Sequence, residues 1–131
     1  MRVIRLLAAI FFIAAGIGHF VSPAFYLAMM PPWLPAHRFL VQLSGVAEIA
    51  GGAGLLIPQI RRIAGIGLIL LLIAVFPANI QMLLNARAAG TAELALWIRL
   101  PFQVLFIWWV WAASLRSAHA SPPQLPQGST L

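Results

Sequence analysis

Glu48, Arg99, His19, Asn79 and Gln103 are the polar side chains on which chemistry can be built in a chain that is otherwise 63% hydrophobic and 8% charged. Between them they offer one carboxylate able to carry a proton and four groups able to donate hydrogen bonds, a set suited to a ligand with carbonyl or hydroxyl oxygens. The absence of Cys excludes thiol catalysis, a disulfide relay and thiolate metal ligation. His19 and His37 alone do not make a haem or copper site, because the surrounding sequence supplies no further ligands of the right kind. No metal is expected.

These residues are spaced along a chain of 131 residues with a mean hydropathy of +0.99, a value that excludes a soluble domain. The length accommodates four spans of roughly 20 residues with short connections and no separate soluble domain. The expected architecture is therefore an all-α polytopic membrane four-helix bundle in contact with the lipid bilayer, with spans near 3–21, 39–57, 63–84 and 96–115. Residues 1–116 would form this transmembrane domain, and the Pro-containing polar segment 117–131 a disordered tail. The formal charge of +6 does not point to nucleic acid, because the arginines gather at span ends, where they set orientation and meet anionic lipid.

Each polar residue has a place in this scheme. Glu48 lies in the apolar stretch Leu40 to Ile57, and at about 100° per residue Ser44, Gly45, Gly51, Gly52 and Leu55 share its face. A small-residue face lets a neighbouring backbone approach, so Glu48 should look into a close-packed seam. His19 stands near the end of the first span, where it serves either as an interfacial hydrogen-bonder or as part of a site. Pro77 inside the third span should kink it and free the carbonyl of Ile73 for a side chain or water. Asn79 and Gln81 follow the break about 200° apart, and Asn79 is favoured as the inward one; interhelical hydrogen bonding is the plainer role for both. Arg99 and Gln103, four residues apart, share a face of the fourth span. Glu48 and Arg99 are expected to pair, either to orient the bundle or as the centre of a pocket. The connection Asn85 to Leu96 breaks at Gly90 and leaves Glu93 solvated.

Between the first two spans, Ser22 to Arg38 is apolar but carries Pro23, Pro31, Pro32 and Pro35, so it cannot be helical throughout. Its Phe25, Tyr26, Met29, Met30 and Trp33 fit an outer loop lying against the span ends, as a lid or as an interfacial anchor. With a cytoplasmic N-terminus, Arg2, Arg5, Arg61, Arg62 and Arg116 lie inside and Arg38, Arg87 and Arg99 outside. This bias favours cytoplasmic N- and C-termini in a bacterial-type inner (cytoplasmic) membrane. The polar residues of the spans then fall in the outer half of the bundle, with Glu48 deepest, roughly 14 Å from where its helix enters.

Gly18-His19-Phe20 with Pro23, Ser44-Gly45 with Glu48-Ile49-Ala50-Gly51-Gly52, Pro77-Ala78-Asn79-Ile80 and Arg99-Leu100-Pro101 with Gln103 occur in that order on the four spans. In this the chain resembles the DoxX-like small membrane proteins, over roughly Arg5 to Trp111. That family is named for a subunit associated with thiosulfate:quinone oxidoreductase. The resemblance implies a quinone-associated subunit of a membrane redox complex. Arg99, Gln103 and His19 would donate to the quinone, Glu48 would carry a proton, and a redox partner protein would supply the electrons. Two alternatives stay open. One is a proton-coupled small-molecule transporter acting as a homodimer, similar to the small multidrug resistance transporters except that their carboxylate lies in the first span. The other is an assembly or stabilising factor without catalysis.

Overall fold

The computed structural model describes residues 1–91 and 93–116, so the segment 117–131 lies outside the described residues. Six helices follow in chain order: α1 (Arg2–Val21), α2 (Pro23–Ala28), α3 (His37–Leu56), α4 (Arg61–Ala74), α5 (Phe76–Ala89) and α6 (Leu94–Ser114). Among the described residues four stretches are long and apolar enough to cross a membrane, namely Arg2–Val21, His37–Leu56, Arg61–Ala89 and Leu96–Ser114, the third combining α4 and α5. The helix ends lie within about two residues of those expected, except that the third stretch runs on to Ala89. It stops at Gly90, whose φ of 66° is the left-handed conformation glycine adopts without cost.

The punctuation is set by proline. The backbone N–H of Ser22 closes α1 on Gly18 O at 2.9 Å, and Pro23 opens α2 in its first turn, where the missing donor has no partner to lose. Pro31, Pro32 and Pro35 keep the segment before α3 out of a regular helix. Ala36, the N-cap of α3, has φ 51°, a left-handed conformation that costs a residue with Cβ about 1 kcal/mol. Within this connection Met29 and Pro31 are buried, whereas Trp33 is 69% exposed. Most of the Trp33 ring is therefore free of contact with the rest of the protein, and the inward positions of the segment belong to Met29 and Pro31.

α1 packs against α3, α3 against α4, α4 against α6 and α6 against α1, so the long helices close into a ring. Its core draws on every member of the ring: Ala8 and Phe12 from α1, Leu55 from α3, Leu68 and Leu72 from α4, Val110 and Ala113 from α6. The α1–α3 seam is close-packed through glycine. A Cβ at Gly16 would come within 2.6 Å of Gly45 O, and one at Gly45 within 2.8 Å of the His19 Cβ. Only glycine permits that approach. The outward faces are apolar, with Val3, Ile63, Leu70 and Val104 each largely exposed.

At the end of the ring that holds the N-terminus, arginines satisfy carbonyls left open where helices stop. Arg5 Nε donates to Ala113 O at 3.0 Å and Arg61 Nε to Leu55 O at 2.8 Å. At the α5–α6 connection Glu93 is not simply solvated but lies 3.4 Å from Arg87 Nε. That pair is exposed, and such pairs contribute about 0–1 kcal/mol.

Candidate functional site

The break between α4 and α5 shapes the centre of the molecule. Pro77 has no N–H to donate, and α4 ends with Val75 N bonded to Leu71 O at 2.9 Å before α5 resumes with Asn79 N on Val75 O at 3.2 Å. Gln103, reaching in from α6, donates through Nε2 to Leu72 O and accepts from Asn79 Nδ2 at 2.5 Å through Oε1. The side-chain partner expected at the break is thus present, but it meets Leu72 rather than Ile73. Gln103 is 5% exposed and its amide is engaged on both sides. It joins the two half-helices and is not an uncommitted donor to a ligand.

Beside this joint lies a cavity of about 410 Å³, lined by His19, Tyr26, Glu48, Asn79, Arg99 and Gln103 among apolar residues that include Phe12, Leu72 and Phe106. All five residues singled out from the sequence therefore border one space. Gln81 does not; it bonds Asn85 Oδ1 at 2.9 Å on the exposed side of α5.

The pairing inside the cavity differs from that expected. Glu48 Oε2 lies 3.4 Å from His19 Nε2, and Glu48 and Arg99 form no ion pair. The reason is topological: α1 and α3 are neighbours along the glycine seam, whereas α3 and α6 stand diagonally across the ring. Arg99 instead places its guanidinium 5.9 Å from the centre of the Phe25 ring, with Nη1 3.5 Å from Met82 Sδ. His19 is held at its other nitrogen by Val41 O, 2.8 Å from Nδ1. Glu48 Oε2 is buried and makes no hydrogen bond in its present position.

Tyr26 is the residue that sequence reasoning did not place in the site. Its ring stacks on the His19 imidazole with centroids 3.8 Å apart, and it borders the cavity from α2. The one available signal was its position in an apolar loop, which spoke for a lid and not for contact with His19. Burial pushes the Tyr26 phenol above the ordinary tyrosine range and the Glu48 carboxylate adds to this, while Arg99 acts in the opposite sense. Among the described residues no three His, Cys, Asp or Glu side chains gather as metal ligands.

Residues 7–114 match the family described as Domain of unknown function (DUF8561). The chain belongs to the DUF8561 family. No curated protein matches it. No solved structure matches it either. The DUF8561 match begins within α1 and ends at the last residue of α6, so it takes in every residue bordering the cavity and all of the ring but the start of α1.

Proposed function

We propose that this DUF8561 protein is a multi-pass membrane protein that holds a quinone headgroup in its central cavity, as a subunit working beside a redox partner that supplies the electrons. The observation that carries the reading is the cavity itself. Its volume of about 410 Å³ falls within the ~300–1,000 Å³ typical of small-molecule sites, and its walls are mainly apolar with polar groups from α1, α2, α3, α5 and α6. The buried and unbonded Glu48 Oε2 supports a ligand or proton at that point. Arg99 and Tyr26 are the chain's donors toward ligand oxygens, and Glu48 with His19 supplies a proton carrier. A bound quinone would contribute two-electron, two-proton redox chemistry. The apolar walls exclude water and hold the ring. The DoxX-like resemblance forms part of the proposal, since its motifs stand on the four long helices around this cavity.

In this reading both termini are cytoplasmic, in a bacterial-type inner membrane, and the cavity faces the outer half of the bilayer. A transporter is the second reading. The specific observation in its favour is that the only carboxylate among the described residues of the cavity wall is paired with a titratable imidazole and not with a permanent cation. Mass spectrometry of lipid-soluble molecules retained after mild detergent purification decides between them. A quinone retained by the native chain and lost from Glu48→Gln is the expected result. Retention of none, together with proton-coupled uptake in vesicles, would replace the quinone reading by the transporter.

A further inference from the structure

The contact between His19 and Glu48 allows a count of protons. Val41 O is a carbonyl and can only accept, so the 2.8 Å contact fixes the proton of His19 on Nδ1. A neutral ring then presents a bare lone pair at Nε2. Facing it 3.4 Å away is Glu48 Oε2, which in the ionised carboxylate is also an acceptor and has no other partner. Two acceptors directed at each other in a buried site repel, and the carboxylate would be left without a hydrogen bond. A single added proton removes both problems. On Oε2 it makes a neutral acid donating to a neutral imidazole; on Nε2 it makes an imidazolium donating to a carboxylate. Either way the pair is neutral.

We infer that His19 and Glu48 form a single proton-binding site on the cavity wall, holding one proton between Nε2 and Oε2. The inference rests on the quinone reading only for the use to which that proton is put. Movement of the proton between the two atoms leaves the charge of the pair unchanged. Delivery to a ligand oxygen leaves His19 neutral and Glu48 ionised, a net charge of −1; acceptance of a second proton gives imidazolium beside neutral acid, a net charge of +1. The other titratable or charged groups facing this pair are Tyr26 on α2, stacked on the imidazole, and Arg99 on α6, across the cavity. Ser44, Asn79 and Gln103 complete the polar wall without titrating, and α4 presents Leu71 and Leu72.

Gly45 is the positioning residue for this site. It lets α1 approach α3 until the His19 Cβ lies 2.8 Å from where a Cβ at Gly45 would stand, which brings the ring onto the Val41 carbonyl. Gly18 performs a related service for Tyr26, whose hydroxyl lies 3.0 Å from the place of a Cβ there.

The test is a proton count on the full chain in lipid nanodiscs at neutral pH. Histidine nitrogen NMR, with His19 assigned by comparison with His37→Asn and His119→Asn, gives the fraction of imidazolium at His19. Infrared absorption of the protonated carboxyl, assigned to glutamate by its shift on carbon-13 labelling of the Glu side chains and to Glu48 by its persistence in Glu93→Gln, gives the fraction of neutral acid at Glu48. The two fractions should sum to one, with Nδ1 protonated throughout. A sum near zero or near two in the native chain overturns the shared proton, and this needs no variant of either residue to fold. In Gly45→Ala the fixed tautomer should be lost and both ring nitrogens should share the proton, whereas unchanged nitrogen signals would show that Gly45 does not position the ring. The quinone reading fails separately: a chain that retains no quinone yet sums to one keeps the proton site, and a chain that retains quinone with a sum of zero or two loses it.

Discussion

At Glu48 the partner is decided by the neighbour in space and not by the strength of the opposite charge. Arg99 is a permanent cation and borders the same cavity, but the carboxylate meets His19 because α1 lies against α3. A double-mutant cycle on thermal stability in detergent should therefore give an interaction term of roughly 0.5–3 kcal/mol for Glu48→Gln with His19→Gln. Glu48→Gln with Arg99→Gln should be additive within about 0.5 kcal/mol. A large term for the second pair would show that Arg99 swings onto Glu48 in the solubilised protein. Gln103 offers a second check at this scale. Gln103→Leu keeps the volume but abandons Leu72 O and the Asn79 amide inside the ring, so a loss of about 1–3 kcal/mol for each stranded group should appear as a lowered melting temperature.

Among the helices, the seam of α1 and α3 depends on residues that contribute no side chain. Gly16→Ala would drive a methyl group toward Gly45 O, and overpacking of this kind costs about 1–3 kcal/mol, read again from thermal stability. The opposite sign is expected at Ala36, where glycine relieves the left-handed backbone, worth up to about 1 kcal/mol before the added chain entropy is subtracted. These elements show how far the sequence could be read. The small-residue face around Glu48 and the break at Pro77 were both legible, since each follows from residue type and helical period within one segment. Which helix meets that face was not legible, because the diagonal placement of α3 and α6 depends on how four helices close together. Tyr26 was missed for the same reason: its contact with His19 arises from the fold of a short helix over α1, with no periodic signal in the sequence.

At the scale of the molecule, four apolar stretches among the described residues put the two ends of the ring on one side if every stretch crosses the membrane. In the orientation proposed above, which the arginine bias supports, that side is the cytoplasm. A reporter fused after Arg116 should accordingly be active in the cytoplasm and silent outside it, and the reverse result would invert the orientation of the whole bundle. The ring also closes between its first long helix and its last, and this has a bearing on how a ribosome delivers it. α1 and α3 emerge one after the other, so the His19–Glu48 contact can form while synthesis is still under way. Leu72 O and Asn79 must wait for Gln103, which arrives on the final helix. Until then the nascent chain carries an unfinished joint in the middle of its third apolar stretch, so that the last helix to be made is the one that locks the proline break.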